Sequence, residues 1–338
     1  MSADVDVLIV GAGHGGLGVA ARLLERQRDV LLVDANARVG DPWRQRWTSL
    51  RLFTPRFYNA LPGVPFPGGA DPFPGTDEVA EYHERYARVL GAPLLLGRRV
   101  TRLRRTASAF EAEAGGDTIR ARSVVIATGA HHTPRIPKFA SALGTGVTQL
   151  HSRDYGTFGP LPPGPVLVVG ARNSGAEIAV EVARTHLVTI ALGTQPPQAP
   201  ARWRSPAWWR ISAARSRLLR GARGPSWLPW PLAVRTFLEV DLARAEREGL
   251  LRTAPRVVAA ESGLIRFADG QTFAPRTVIW ATGFRIDDTW VEAPSDEQGM
   301  SVSRHRRGPL PGLWIVRAGL LGSLHWEALS ATADITRA

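Results

Sequence analysis

The sequence has 338 residues, of which 44% are hydrophobic, so it is long enough for two modest globular domains. Cysteine is absent, which excludes disulfides, a thiol nucleophile and a redox-active cysteine pair. The formal net charge is +12, which favours anionic ligands, but we predict no specific nucleic-acid partner and no metal site. No charged and apolar leader begins the sequence, and no apolar run reaches membrane-spanning length, so we expect a cytoplasmic protein without a transmembrane segment.

The N-terminal stretch has the pattern of a strand, a glycine-rich turn and a helix. Val5–Val10 is an apolar run that leads into a GxGxxG turn. A helix start at such a turn presents free backbone N–H groups to a phosphate. A second apolar run ends in an acid roughly 20 residues later, where a carboxylate can accept hydrogen bonds from both hydroxyls of a ribose. We therefore predict a dinucleotide site lined by Gly11, Gly13, His14, Gly15, Gly16, Asp34 and Ala35.

A second copy of this pattern begins at the apolar run Val166–Val169. Its turn is followed by a helix that we expect to open at Gly175. Each copy then closes with a hairpin-like stretch and an Ala-Thr-Gly motif, which indicates internal duplication of a whole domain plan. The second turn contributes Gly170, Arg172, Asn173, Ser174 and Gly175, and the two closing motifs contribute Ala127, Thr128, Gly129, Ala281, Thr282 and Gly283.

Residues 40–75 are dense in proline, glycine and aromatic side chains and predict a long irregular segment, which is often functional. The stretch Glu78–Leu90 that follows has the spacing of an amphipathic helix. We expect its buried face to carry Val79, Tyr82, Tyr86 and Val89.

The two glycine turns, Asp34, the Trp43-Arg44 pair and both Ala-Thr-Gly motifs resemble the flavin-containing monooxygenase family, which includes bacterial N- and S-oxygenases and YUCCA-like enzymes. The resemblance implies an α/β fold of two Rossmann-like dinucleotide-binding domains, each a three-layer ββα arrangement. It also implies FAD and NADPH as cofactors. The NADPH domain, 156–284, would be inserted into a discontinuous FAD domain formed by 1–155 and 285–338.

The resemblance also implies individual site residues. Trp43 and Arg44 would contact FAD, the backbone of Val100 would meet its adenine, and Thr54 and Asn59 would face the flavin and nicotinamide.

The two catalytic candidates are Asn59 and His151, and each also has a non-catalytic interpretation. Asn59 also fits a turn residue before Leu-Pro-Gly, and His151 also fits a histidine that only hydrogen-bonds within the linker. The family fingerprint FxGxxxHxxx(Y/F/W) matches at His151 and Tyr155 but has Thr145 in place of Phe. Val147 replaces its glycine.

The second nucleotide turn departs from the family pattern at Arg172, which replaces a glycine that allows close approach of the pyrophosphate. The side chain either hinders that approach or swings out to pair with a phosphate, and we favour the second interpretation. The arginine that usually clasps the 2′-phosphate of NADPH is also missing. Arg202 is our candidate for that clasp, with Arg204 as its alternative.

Taken together, these features predict a monooxygenase that uses FAD, NADPH and molecular oxygen. It would form a C4a-hydroperoxyflavin and oxygenate a small organic substrate at nitrogen, sulfur or an electron-rich carbon. An NAD(P)H oxidase or reductase without oxygen transfer is the first alternative, and a non-catalytic FAD-binding protein is the second. Homodimerisation is left open, as is the role of the Trp- and Arg-rich segment 201–231 as a packed connection, lid or membrane-facing surface.

Overall fold

The computed structural model describes residues 2–69, 72–193, 205–211, 240–292, 310–316 and 335. The chain forms two compact units. The first unit contains the residues up to Arg44, Thr54–His132 and the described residues from Ile286 onward, and the second contains Gln45–Phe53 and Thr133–Arg285.

The secondary structure follows the strand, turn and helix order predicted for both nucleotide units. The strands are β1 (Ser2–Val10), β2 (Val30–Val33), β3 (Leu94–Leu95), β4 (Val100–Arg105), β5 (Phe110–Ala114), β6 (Asp117–Ile126), β7 (Thr133–Pro134), β8 (Thr148–His151), β9 (Val166–Val169), β10 (Val188–Ala191), β11 (Arg252–Ala254), β12 (Val257–Glu261), β13 (Leu264–Phe267), β14 (Thr272–Phe273), β15 (Thr277–Trp280), β16 (Phe284–Arg285), β17 (Val291–Glu292) and β18 (Leu313–Ile315). The α-helices are α1 (His14–Leu24), α2 (Asp41–Arg44), α3 (Thr76–Leu90), α4 (Tyr155–Phe158), α5 (Asn173–Val182) and α6 (Leu242–Arg247). Short 3-10 helices cover Arg56–Tyr58 and Lys138–Leu143, and residues 206–211 are also helical.

The first unit is built on β1, whose residues Val7–Val10 are buried because parallel strands are covered on both faces. β1 pairs in parallel with β2 and with β6. The first half of β6 also pairs antiparallel with β5, and its last three residues pair in parallel with β18. The long strand β6 therefore belongs to both a parallel sheet and an antiparallel meander. Apolar side chains such as Leu8, Phe110 and Val124 form one buried cluster of this unit.

Helix α3 holds the proline-rich segment through Tyr82 and Tyr86, and the hydroxyl of Tyr86 donates to Pro62 O at 2.7 Å. The hydroxyl of Tyr82 accepts a hydrogen bond from Leu61 N and donates to Val64 O, at 2.6 and 2.7 Å. The prediction that Val89 shares their buried face was wrong, because Val89 is 62% exposed. At 3.6 residues per turn Val89 lies about 80° from Val79 around the helix, at the edge of the buried face, and it belongs to the last turn before the helix ends at Leu90.

The second unit repeats the plan on a smaller scale. Its parallel sheet has the order β11-β10-β9-β15-β8, and the antiparallel strands β12, β13 and β14 form a separate three-stranded sheet. Trp280 and Phe267 belong to one buried cluster of this unit. The repeated architecture confirms the predicted α/β fold with Rossmann-like units. Helix α5 begins at Asn173, two residues before the predicted start at Gly175.

The observed division of the chain differs from the predicted boundary at residue 155. Strand β8 pairs in parallel with β15, with Thr148 opposite Thr277 and His151 opposite Trp280. This pairing places residues 133–155 in the second unit. Within the described ranges, no helix is both long enough and apolar enough to cross a membrane.

Candidate functional site

In the first glycine turn, close backbone contacts leave no room for side chains at Gly11 and Gly16. A Cβ on Gly16 would lie 1.8 Å from Gly11 O. Gly11 has a φ of +108°, and a Cβ there would lie 2.5 Å from Ala127 O in the first Ala-Thr-Gly motif. Gly13 is different, because nothing lies within 4 Å of the position its Cβ would take. Glycine at position 13 therefore leaves open space at the start of α1, where a phosphate is favoured by the free N–H groups.

The second turn has the same close contacts. A Cβ on Gly175 would lie 1.8 Å from Gly170 O, and one on Gly170, whose φ is +106°, would lie 2.5 Å from Ala281 O. Arg172 stands where Gly13 stands in the first turn, with nearly the same backbone angles: φ −83° and ψ −178° against φ −81° and ψ −170°. The backbone at this position therefore does not require glycine, and the side chain of Arg172 is exposed.

The first closing motif and the second turn each contain a buried polar atom without a hydrogen-bond partner. Among the described residues, Thr128 Oγ1 and Asn173 Oδ1 are buried and make no hydrogen bond. Leaving such an atom unsatisfied costs about 1–3 kcal/mol, so these atoms are expected to meet a ligand. The corresponding hydroxyl of the second closing motif, Thr282 Oγ1, instead donates to Arg135 O. The residues of both turns thus fit a bound dinucleotide.

Asp34 joins the end of β2 to the first turn. Its Oδ2 accepts a hydrogen bond from Ala12 N at 2.7 Å. Its Oδ1 accepts from the backbone and the side-chain nitrogens of Asn36, at 2.8 and 2.7 Å. Ala35, between them, is exposed. Asn36 was not among the predicted site residues, although Asp-x-Asn at a strand end is a known signal for an aspartate that bonds two residues onward.

The segment after β2 is more ordered than predicted, since Trp43 and Arg44 lie in α2. Trp43 is half-buried. The guanidinium of Arg44 donates to Val39 O at 2.8 Å and pairs with Glu84 at 2.5 Å. Arg44 therefore braces α2 against α3, and contact of Trp43 and Arg44 with FAD stays a prediction.

Thr54 and Asn59 close a buried turn on each other. Thr54 Oγ1 donates to Asn59 Oδ1 at 2.8 Å, and Asn59 Nδ2 donates to Thr54 O at 2.8 Å and to Pro55 O at 3.1 Å. These bonds support the interpretation of Asn59 as a turn residue over a catalytic one. Val100 is buried at the start of β4. Its contact with the adenine of FAD stays a prediction.

His151 is buried, and both of its ring nitrogens are occupied within the second unit. Nε2 lies 3.0 Å from Gly283 O, and Nδ1 accepts a hydrogen bond from Arg153 N at 3.1 Å. Burial is the largest cause of the lowered pKa of this ring, and it outweighs the hydrogen bond to Gly283 O and the nearby Asp154, which act in the opposite direction. A neutral His151 that donates to Gly283 O supports the linker interpretation.

His14 has a partner that sequence reasoning missed. Its Nδ1 lies 3.1 Å from Nε2 of His83 in α3, and both rings are buried. Burial lowers the pKa of His83 to about 4, so this ring is neutral at physiological pH. The start of α1 is therefore held to α3 by a neutral histidine contact.

The candidates for the 2′-phosphate clasp, Arg202 and Arg204, lie outside the described residues. Of the Trp- and Arg-rich segment 201–231, only 205–211 are described. There Trp209 is fully buried and packs edge-on against Trp208, with ring centroids 5.1 Å apart. Within the described ranges no cluster of three or more His, Cys, Asp or Glu could hold a metal ion.

Comparison with known proteins identifies the family. Residues 8–210, more than half of the chain, match the family described as pyridine nucleotide-disulphide oxidoreductase. The chain belongs to this family. It is 33% identical over 317 residues to an uncharacterized CzcO-like oxidoreductase of Geobacillus kaustophilus, which covers 90% of this chain and 87% of the relative. It is also 27% identical to the rice indole-3-pyruvate monooxygenase YUCCA1, over 93% of this chain and 84% of the relative.

Among solved structures, the chain is similar to a flavin-containing monooxygenase from Stenotrophomonas maltophilia, with a TM-score of 0.78 and 26% identity over 99% of both chains. These matches confirm the resemblance to flavin-containing monooxygenases and make this member of the pyridine nucleotide-disulphide oxidoreductase family an oxidoreductase. Disulphide chemistry through cysteines of this chain is excluded, because the sequence contains none.

Proposed function

We propose that this protein is a flavin-dependent monooxygenase in which the first unit binds FAD and the second unit binds NADPH. The observation that carries the proposal is the duplicated turn: in both units a Cβ on the last glycine would meet the first glycine, and a Cβ on the first glycine would meet the closing motif. The unpartnered atoms Thr128 Oγ1 and Asn173 Oδ1 support it, because each unit then offers a polar group to a ligand.

The residues of the first unit divide the work of holding FAD. Gly13 and the free N–H groups at the N-terminus of α1 would hold the pyrophosphate, because the helix dipole favours negative charge there. The carboxylate of Asp34 accepts hydrogen bonds from the ribose, and the hydroxyl of Thr128 supplies a further polar contact.

The second unit holds the pyrophosphate of NADPH in the same way, at the N-terminus of α5. Asn173 and Ser174 add side-chain donors there, and Arg172 pairs with a phosphate through its exposed guanidinium. Bound at these two sites, FAD and NADPH would supply the hydride transfer and the activation of oxygen that a monooxygenase needs. The protein orients both nucleotides and excludes water.

The proposed substrate is a small organic molecule that is oxygenated at nitrogen, sulfur or an electron-rich carbon. The absence of cysteine favours oxygen as the electron acceptor over a disulphide. The name of the rice relative records indole-3-pyruvate as its substrate, which makes 2-oxo acids with an aromatic side chain the first compounds to test.

Rapid-mixing spectroscopy of the purified protein tests this function. We expect a yellow protein whose flavin absorbance is bleached by NADPH and which, on mixing with oxygen, forms a hydroperoxyflavin spectrum that persists before the oxidised flavin returns. Immediate reoxidation with release of hydrogen peroxide would instead establish an oxidase. The absence of any change with NADPH or NADH would leave only FAD binding.

The Gly13→Trp variant tests the FAD site itself. The site has local room for a side chain, so we expect the variant to fold and to lose the yellow colour. A folded variant that keeps its FAD would show that the pyrophosphate binds elsewhere.

A further inference from the structure

Two histidines hold the closing glycines of the two Ala-Thr-Gly motifs in the same way. His151 Nε2 lies 3.0 Å from Gly283 O in the second unit. His132 Nε2 lies 3.0 Å from Gly129 O in the first unit. His151 belongs to the family fingerprint, whereas His132 belongs to no motif, so only the structure reveals that the two rings are counterparts.

The second ring nitrogen also has the same role in both. His151 Nδ1 accepts a hydrogen bond from Arg153 N at 3.1 Å, and His132 Nδ1 accepts from Asp287 N at 3.0 Å. A nitrogen that accepts an N–H cannot carry the proton, so the neutral rings carry it on Nε2 and donate to the glycine carbonyl. For His132, the carbonyl of Asp287 lies 3.2 Å from the same Nδ1. Residue 287 can therefore partner the ring in either protonation state.

Asp287, which bonds to the ring of His132, is itself held by several hydrogen bonds. The carboxylate of Asp287 accepts hydrogen bonds from Thr289 N and Oγ1, at 3.1 and 2.7 Å. Its carbonyl accepts one from Trp290 Nε1 at 3.1 Å, and Trp290 packs against the core of the first unit. His132 therefore links Gly129 to residues 287–290, which these hydrogen bonds hold in place.

The turn that His132 holds is the one that carries the unpartnered Thr128 hydroxyl. Ala127 O, at the start of this turn, is the atom that a Cβ on Gly11 would meet. Displacement of Gly129 would thus move Thr128 relative to the nucleotide turn.

We propose that His132 is a positioning residue for FAD: its Nε2–H fixes Gly129 O and thereby places Thr128 against the cofactor. This inference rests on the proposed assignment of FAD to the first unit.

The test is to titrate full-length, flavin-depleted protein with FAD, following flavin fluorescence, and to measure the KM for NADPH and the melting temperature of the same variants. We expect His132→Ala to raise the Kd for FAD about three- to tenfold, the value of one hydrogen bond, and to leave the KM for NADPH unchanged. We expect His151→Ala, which removes the counterpart contact to Gly283 O in the second unit, to leave the Kd for FAD unchanged. His186→Ala is the matched control, because this ring bonds only to its neighbour Thr185 among the contacts seen, and it should change neither constant.

Two further variants separate the ring contacts of His132. Gln presents a donor and an acceptor about as far apart as the two ring nitrogens, so His132→Gln should restore the affinity to within about twofold of the original protein. Asn is too short to reach Gly129 O while keeping a partner at Asp287, so His132→Asn should bind FAD as weakly as His132→Ala.

Several results would overturn the inference. These are an unchanged Kd for FAD in the Ala or Asn variant, a failure of Gln to restore it, or an equal effect of His132→Ala on FAD and NADPH. A general loss of stability would lower the melting temperature and weaken both nucleotides together. If the original protein does not bind FAD in the same titration, the proposed function itself has failed.

Discussion

Asp34 Oδ2 and the backbone N–H of Ala12 are joined by a 2.7 Å hydrogen bond across 22 residues of sequence. The acid that ends β2 therefore holds the glycine turn that follows β1. Its other oxygen is bonded to Asn36, so the carboxylate is oriented before any ligand arrives. Because a carboxylate has about four acceptor sites and three of them are used by these bonds, about one site, on Oδ2, is left for a ribose hydroxyl.

The first prediction concerns this carboxylate. We expect Asp34→Ala to weaken FAD binding by about 1–3 kcal/mol, because both the ribose contact and the anchor of Ala12 are lost. Fluorescence titration with FAD measures the change. Asp29→Ala is the matched control, since Asp29 is an exposed acid just before the same strand. An unchanged affinity in Asp34→Ala would mean that the adenosine is held by other groups.

The second prediction compares two glycines of the same turn. A Cβ at Gly16 would lie 1.8 Å from a backbone oxygen, so Gly16→Ala should cost several kcal/mol of unfolding free energy or prevent folding. Gly13→Ala adds the same methyl group where nothing lies within 4 Å, and its φ of −81° is allowed for alanine. The free energy of unfolding of Gly13→Ala should lie within about 1 kcal/mol of that of the original protein. Chemical denaturation of the two variants measures both free energies of unfolding. Equal values would contradict the close contact between position 16 and Gly11 O.

The third prediction concerns Arg172. Its exposed side chain is expected to pair with the pyrophosphate, which NADPH and NADH share. Arg172→Gly should therefore raise the KM for both cofactors about three- to tenfold and leave their ratio unchanged. Arg184→Gly, an exposed arginine just past α5, serves as the control. A fall in both KM values would show that the bulk of Arg172, rather than its charge, dominates.

The fourth prediction uses the buried His83. Its pKa is about 4 in the folded protein against 6.5 in the unfolded chain, so acid protonates the unfolded chain first. His83 therefore lowers the free energy of unfolding by up to about 3 kcal/mol as the pH falls from about 6.5 to 4. His83→Gln, which cannot titrate, should show a shallower decline in urea unfolding between pH 7 and pH 4.5. Parallel pH profiles for the two proteins would contradict the lowered pKa.

The sequence by itself determined the features whose requirements lie within a few residues. The strand, turn and helix of each nucleotide unit, the acid at the end of β2 and the closing motifs all follow from local periodicity and from glycine positions where backbone meets backbone. Gly11 and Gly16 were recognisable because their steric requirement is local to one turn. The absence of cysteine excluded a class of chemistry without any structure.

Only the tertiary structure decided which distant groups meet. The pairing of β8 with β15 moved residues 133–155 into the second unit, and the partners of Arg44 and His14 lie in α3, far along the chain. His132 and Asp287 are separated by 155 residues and share no motif. Periodicity records which face of an element is apolar, but the partner of a polar side chain depends on how elements pack, and so these hydrogen bonds leave no local trace in the sequence.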